Sequence, residues 1–153
     1  MTAAFSPTAF SPEEGSQTLV LLKPDAVERG LTGRILDRYL TKGLTLAALE
    51  LREVDEELAA AHYAEHFGRD YYPTLIKFIT SGPVVAMVLQ GERAIEIVRL
   101  MNGATDSATA APGTIRGDFS IYYQRNIVHA SDSPETAARE IGIWFPKLGG
   151  ATA

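Results

Sequence analysis

Cysteine is absent from this chain, and with it go disulfide staples, thiolate nucleophiles and cysteine-based zinc sites. Such a composition fits a cytoplasmic protein. Basic charge is also scarce: 14 Lys and Arg face 19 Asp and Glu, which leaves a net charge of −5. That field has the wrong sign for a general nucleic-acid or anionic-membrane surface. No apolar run approaches the roughly 20 residues of a membrane span, and the opening MTAAFSPTAFSPEEGSQ lacks both the basic and the apolar parts of a secretory signal. Neither a Walker A pattern nor GxGxxG occurs. Any phosphate bound here must be held outside a standard P-loop.

What is present is a chain of 153 residues, 46% hydrophobic, enough to bury the core of one domain. AFSP occurs twice, at Ala4 to Pro7 and Ala9 to Pro12, and its prolines break helix and central strand alike. Residues 1–16 therefore read as a flexible tail, 17–149 as the domain and 150–153 as a short C-terminal tail.

Within the domain the continuous apolar run TLVLLKP, from Thr18, reads as a strand buried on both faces. A helix follows, with Leu31, Ile35, Tyr39 and Leu40 near the helical period, Thr32 as its cap and Gly43 as its stop. Leu44 to Val54 is a second strand, DEELAAAHYAEHF a helix, and Thr74 to Thr80 a short helix. Pro83 to Gln90 is a third strand and ERAIEIVRLMNG a helix closed by Gly103. Ala104 to Asp118 shows no period and reads as a long loop, which in so small a chain is usually functional. NIVH is a fourth strand, and SPETAAREIGIWF a last helix with Ser133 as N-cap and Pro134 at its first position. This order suits an α+β fold, a split β-α-β-β-α-β sheet with helices on one face. The first and third strands are apolar on both sides, so a second sheet face or a sheet edge is expected to be covered by another subunit.

Three cations fall at strand ends, loops or a late helical turn: Lys23, Arg99 and Arg116. His129, one of only three histidines, ends the fourth strand and faces a helix start. Lysine gives a point charge and arginine a planar fork of donors, equipment suited to phosphates.

The blocks LLKPDAVERGLTG, HYAEH followed by YYP, SGPVVAMVLQG, PGTIRGDF and NIVHASDS resemble, in order and spacing, the signature blocks of nucleoside diphosphate kinases, from about Thr18 to Phe145. The resemblance implies a ferredoxin-like subunit with a four-stranded antiparallel sheet, assembled as a homo-tetramer or homo-hexamer. It also implies transfer of the γ-phosphoryl group from ATP or another triphosphate to a nucleoside diphosphate, with Mg²⁺ held mainly by the nucleotide phosphates. On this reading His129 takes the phosphoryl group and passes it on, a role that suits neutral imidazole near pH 7. Glu140 fixes the histidine, Ser131 is its hydrogen-bonding neighbour, and Tyr63 lies close by. Lys23 reaches the phosphates and the ribose, Asn126 the same ribose, and Arg99, Thr105 and Arg116 the phosphates. Tyr71 stacks on the base beside Leu75, a contact with no sequence code because every base has a π-face.

Three positions depart from the common pattern: Ala26 and Ala130 replace glycines, and Tyr123 stands where a small aliphatic residue usually walls the base slot. A non-catalytic nucleotide-sensing or partner-binding member of the same fold is the alternative. It would be expected to have lost His129, Lys23 or Arg116, and all three are present. An RNA-binding domain of similar topology would need a basic face and exposed sheet aromatics, and neither is visible.

Overall fold

The structure, a computed structural model, describes residues 15–149. Both expected tails lie outside this range, apart from residues 15 and 16 of the first. Four strands, β1 (Ser16–Leu22), β2 (Thr45–Arg52), β3 (Val84–Gly91) and β4 (Val128–Ala130), form one antiparallel sheet in the order β2-β3-β1-β4. β1 lies at the centre, paired with β3 on one side and β4 on the other. Side chains alternate across a strand, so Val20 and Leu22 join Val85, Met87 and Leu89 on one face while Leu19 and Leu21 join Val84, Ala86 and Val88 on the other.

The first face is covered by α1 (Pro24–Glu28), α2 (Thr32–Lys42), α5 (Ala94–Asn102) and α6 (Ile115–Phe119), through Ala26, Ile35, Tyr39, Val98 and Ile115. The second is covered by α3 (Glu56–His62), α4 (Tyr72–Ile79) and α7 (Pro134–Trp144), through Ala59, Ile79, Ile141 and Trp144. Each valine or isoleucine among these taken fully from water contributes about 1.5–3 kcal/mol. Helices therefore lie on both faces, not one, and the doubly apolar pattern of β1 and β3 is satisfied by the chain's own helices rather than by a neighbour. The edge strand β2 exposes Leu49 and Leu51. A short helix, α8 (Pro146–Gly149), follows α7, and no helix among the described residues is long and apolar enough to cross a membrane.

Local signals place most boundaries. Ser133 caps α7 by accepting the Thr136 N–H at 3.1 Å, with Pro134 in the first turn, and Gly43 closes α2 at φ 119°. Thr32 is not a cap: buried Leu31 holds that position and Thr32 opens the helix. The expected loop from Ala104 to Asp118 contains most of α6, whose start is capped by Thr114 Oγ1 accepting the Gly117 N–H at 3.0 Å. A Cβ on Gly117 would lie 2.0 Å from the Ala111 carbonyl oxygen, so the loop closes this way only with glycine there.

Candidate active site

β4 is short because the chain arrives at it through a strained residue. Ile127, β-branched and fully buried, sits at φ 66°, a conformation that costs about 1–2 kcal/mol for such a side chain. Its N–H donates to Asp25 Oδ2 at 3.1 Å and its carbonyl accepts the Lys23 N–H at 2.8 Å. The start of α1 is thus tied to the start of β4. Asn126 is brought to Lys23, and His129 follows three residues after it.

His129 pairs with Leu21 across the sheet and so looks toward α3 and α7. Its Nε2 lies 2.9 Å from Glu140 Oε2, and the other carboxylate oxygen accepts from Ser131 Oγ at 2.7 Å. Ser131 Oγ in turn accepts the Leu19 N–H at 3.2 Å. Glu140 is 2% exposed, and both its oxygens are engaged. An ionised carboxylate only accepts, so Nε2 carries the ring proton and Nδ1 keeps its lone pair. Tyr63 is buried beside this group, and burial, then the nearby Glu140 charge, push its hydroxyl pKa up to about 12. It reaches His129 through His62, whose ring is edge-on to both, with centroids 4.7 Å from Tyr63 and 4.6 Å from His129.

A second cluster lies at the other end of β4. Lys23 Nζ donates to Asn126 Oδ1 at 2.7 Å, and Asn126 Nδ2 donates to the Thr105 carbonyl at 3.0 Å. Arg116 donates from Nε to the Asn126 carbonyl at 3.2 Å, from Nη1 to that of Gly103 at 2.9 Å and from Nη2 to that of Val128 at 2.6 Å. Among the described residues, two of its five N–H groups and two of the three on Lys23 have no partner. Burial, helped by the Arg116 charge and opposed by Asp25, lowers the Lys23 pKa to about 8. Burial likewise lowers that of Arg116, with Tyr39 opposing and Arg99 adding to the shift. Two buried cations that have unused donors and no carboxylate salt bridge among the described residues are equipped to hold an anion.

The remaining expected residues are less firmly placed. Tyr71 is 43% exposed and its hydroxyl is 2.7 Å from His66 Nδ1. Leu75 is half-buried against the second-face core. Thr105 contributes a backbone carbonyl rather than a side-chain contact. Arg99 is exposed on α5 and lines an open depression with Arg93, Glu96 and Asp132, the last of which also borders the His129 pocket. Tyr123 is 66% exposed, and no hydrogen bond ties it to either cluster among the described residues. Ala26 sits buried in α1 and Ala130 pairs with Val20, neither at positive φ, so both alanines fit without strain. Residues the sequence reading passed over are Asp25 and His62. The first stood in the KPDA block and the second beside Tyr63, but their partners are distant in the chain.

Magnesium asks for hard oxygen ligands in a near-octahedral array. The candidate ligand cluster among the described residues is His62, His129 and Glu140, mostly nitrogen and already hydrogen-bonded, and does not suit that ion.

The family model for nucleoside diphosphate kinase matches residues 16–149. The chain belongs to the nucleoside diphosphate kinase family. It is 64% identical over 139 residues to a nucleoside diphosphate kinase of Cutibacterium acnes, covering 91% of this chain and 99% of that protein. To one of a Nocardioides species it is 61% identical over 132 residues, covering 86% and 98%. A halophilic nucleoside diphosphate kinase from Halobacterium salinarum, solved in complex with CDP, superposes with a TM-score of 0.84 at 47% identity, covering 86% of this chain and 88% of that one. The fold is thus the ferredoxin-like one, and the chain is a phosphotransferase acting between nucleoside triphosphates and diphosphates.

Proposed function

We propose that this nucleoside diphosphate kinase works by a ping-pong mechanism in which Nδ1 of His129 carries the phosphoryl group between the two nucleotides. The observation that carries this reading is the Nε2 to Glu140 hydrogen bond, which leaves Nδ1 as the ring's free nucleophilic atom. In the first half-reaction the Nδ1 lone pair forms a bond to the γ-phosphorus. The bond from that phosphorus to the β,γ-bridging oxygen breaks, and the diphosphate leaves with the electron pair. The ring becomes cationic because Nε2 keeps its proton. Glu140 offsets that charge, and a hydrogen bond to a charged group contributes about 1.5–3 kcal/mol. In the second half a terminal oxygen of another nucleoside diphosphate attacks the phosphorus and the N–P electrons return to Nδ1. One site serves both halves.

Little else is needed beyond positioning and charge neutralisation. The free donors of Lys23 and Arg116 meet the phosphates, joined by Arg99 and Thr105, while Asn126 and Lys23 address the ribose. Ser131 holds Glu140, Tyr63 closes the site, and Tyr71 with Leu75 gives the base its main platform, with solvent-exposed Tyr123 beside it. Mg²⁺, when bound, would be held by the nucleotide phosphates and would supply further charge neutralisation there. Residues 17–149 carry the activity, in the cytoplasm, as a homo-tetramer or homo-hexamer. Bare Leu49 and Leu51 on β2 and exposed Ile121 and Tyr122 support the assembly, and sedimentation giving a monomer at micromolar concentration would refute it. For the mechanism, incubation with γ-labelled ATP alone should leave the label on His129, mapped by peptide mass. Label on any other residue would overturn it.

A further inference from the structure

The lone pair on His129 Nδ1 depends on Glu140 choosing His129 as its donor, and a second imidazole lies within reach of the same carboxylate oxygen. His62 Nδ1 is 3.7 Å from Glu140 Oε2, in a pocket where His62 is 3% exposed. Were Nδ1 of His62 protonated, a shift of under an ångström would make it a competing donor and weaken the bond to His129. What prevents this is Trp144, the single tryptophan of the chain, whose indole Nε1–H donates to His62 Nδ1 at 3.1 Å. An indole nitrogen can only donate. The nitrogen that receives it must hold a lone pair, so the His62 proton resides on Nε2 and its Nδ1 presents electrons, not a proton, to Glu140.

Resting on the assignment of His129 as phosphoryl carrier, we infer that Trp144 and His62 are positioning residues: the indole locks His62 in its Nε2–H tautomer, which reserves Glu140 for His129 and keeps Nδ1 of His129 nucleophilic. The surroundings act in the same direction. His62 is packed against Tyr63, His129 and Trp144. Burial first, then the charges of His129, Arg139, Lys23 and His66, hold its protonated form well below the ordinary imidazole range. A second proton on His62 is therefore disfavoured as well as misplaced. The arrangement also explains why the His62, His129 and Glu140 trio is a hydrogen-bond relay and not a metal site: Nδ1 of His62 and both oxygens of Glu140 already have donors.

The chain has only three histidines, so ¹⁵N-histidine labelling of the whole enzyme gives a spectrum simple enough to assign. Long-range ¹H–¹⁵N correlations should show His62 as the neutral Nε2–H tautomer, without titration between about pH 5 and 8, where an ordinary imidazole changes charge. An Nδ1–H tautomer, or titration in that range, overturns the inference. W144F removes the donor and keeps most of the ring. It should slow phosphorylation of His129 by about tenfold, by analogy with the low end of what is lost when the outer partner of a metal-ligating histidine is removed, and let His62 sample the Nδ1–H form. Adding H62L should then recover most of that loss, because no competitor for Glu140 remains. A purely structural role for these side chains makes the double variant slower than W144F, and that result overturns the proposal. Phosphate found on a residue other than His129 would instead remove the underlying mechanism, an outcome seen in peptide mapping and independent of the His62 tautomer.

Discussion

The two ends of the proposed nucleotide site are built to different standards. At the phosphoryl end Glu140, Ser131, Lys23, Asn126 and Arg116 are buried and His129 is half-buried, and the core of the group is held by its neighbours: His129 by Glu140, Glu140 by Ser131, Lys23 by Asn126, and Arg116 by three backbone carbonyls. At the base end Tyr71 has one hydrogen-bonding partner, His66, and Tyr123 stands open to solvent. A loose phosphoryl group demands fixed charges and a fixed nucleophile. A stacked base demands only a flat apolar surface. On the proposed assignment, this difference makes the enzyme strict about where the phosphorus sits and predicts tolerance about which base accompanies it.

The largest expected effect separates the ends outright. His129→Ala should abolish transfer and leave nucleotide affinity near that of the parent, since the cations and the platform remain. Equilibrium titration of ADP beside a transfer assay tests both halves. Residual transfer near the parental rate would break the comparison by showing that the phosphoryl end has another carrier. Next in size is Gly117→Ala. A methyl placed against the Ala111 carbonyl forces α6 to shift, and overpacking of this kind costs about 1–3 kcal/mol. Arg116, the preceding residue, should move with it. A lowered melting temperature and weakened triphosphate binding are expected together; unchanged stability would mean that the loop relaxes freely.

How far these features could be read from sequence depends on the range of the interactions that make them. The strands and the long helices follow from local period and caps, while the His129, Ser131 and Glu140 trio follows from the resemblance to the nucleoside diphosphate kinase blocks. α1 and α6 were not foreseen, because five residues are too few to show a period and α6 relies on Thr114 and on burial of Ile115. The positive φ of Ile127 is imposed by Asp25, 102 residues away, and nothing local to Ile127 announces it. His62 was overlooked for the same reason, since its donor lies 82 residues on. The apolar pattern of β1 and β3 correctly called for cover on both faces but carried no information on whose helices would supply it. The sparse contacts of Tyr123 were equally invisible: the motif locates the residue, not its partners.

The Lys23 ammonium gives a pH test of the phosphoryl end. With its pKa lowered to about 8 by burial and by Arg116, the free enzyme holds this charge below that pH and loses it above. The specificity constant kcat/KM, which reports the free enzyme, should fall as pH rises through about 8. In the complex the phosphates favour the charged form, so kcat should persist to higher pH. Stability of the nucleotide-free protein should move the opposite way. An unfolded lysine keeps its proton to about pH 10.4, so folding releases a proton between the two values and stability increases across that window. A kcat/KM flat to pH 9.5 would show that Lys23 is not needed as a cation.

The smallest effect bears on the loose end and decides how loose it is. Tyr71 has its hydroxyl fixed by His66 and 43% of its surface exposed, whereas Tyr123 exposes 66%. A ring already held in place loses less entropy when a base stacks on it, so Tyr71 should carry most of the stacking energy, about 1–3 kcal/mol for an aromatic platform. Tyr71→Ala should weaken ADP binding by about tenfold, or 1.4 kcal/mol, and CDP binding by less, because a pyrimidine offers the smaller face. Tyr123→Val should change either affinity by less than about threefold, since a ring that must first be ordered returns little of the same stacking energy. Titration of both diphosphates into both variants settles the matter. If Tyr123→Val costs as much as Tyr71→Ala and penalises ADP over CDP, the base is clamped between two tyrosines. The base end would then be as tightly determined as the phosphoryl end, and the explanation offered here for base tolerance would fail.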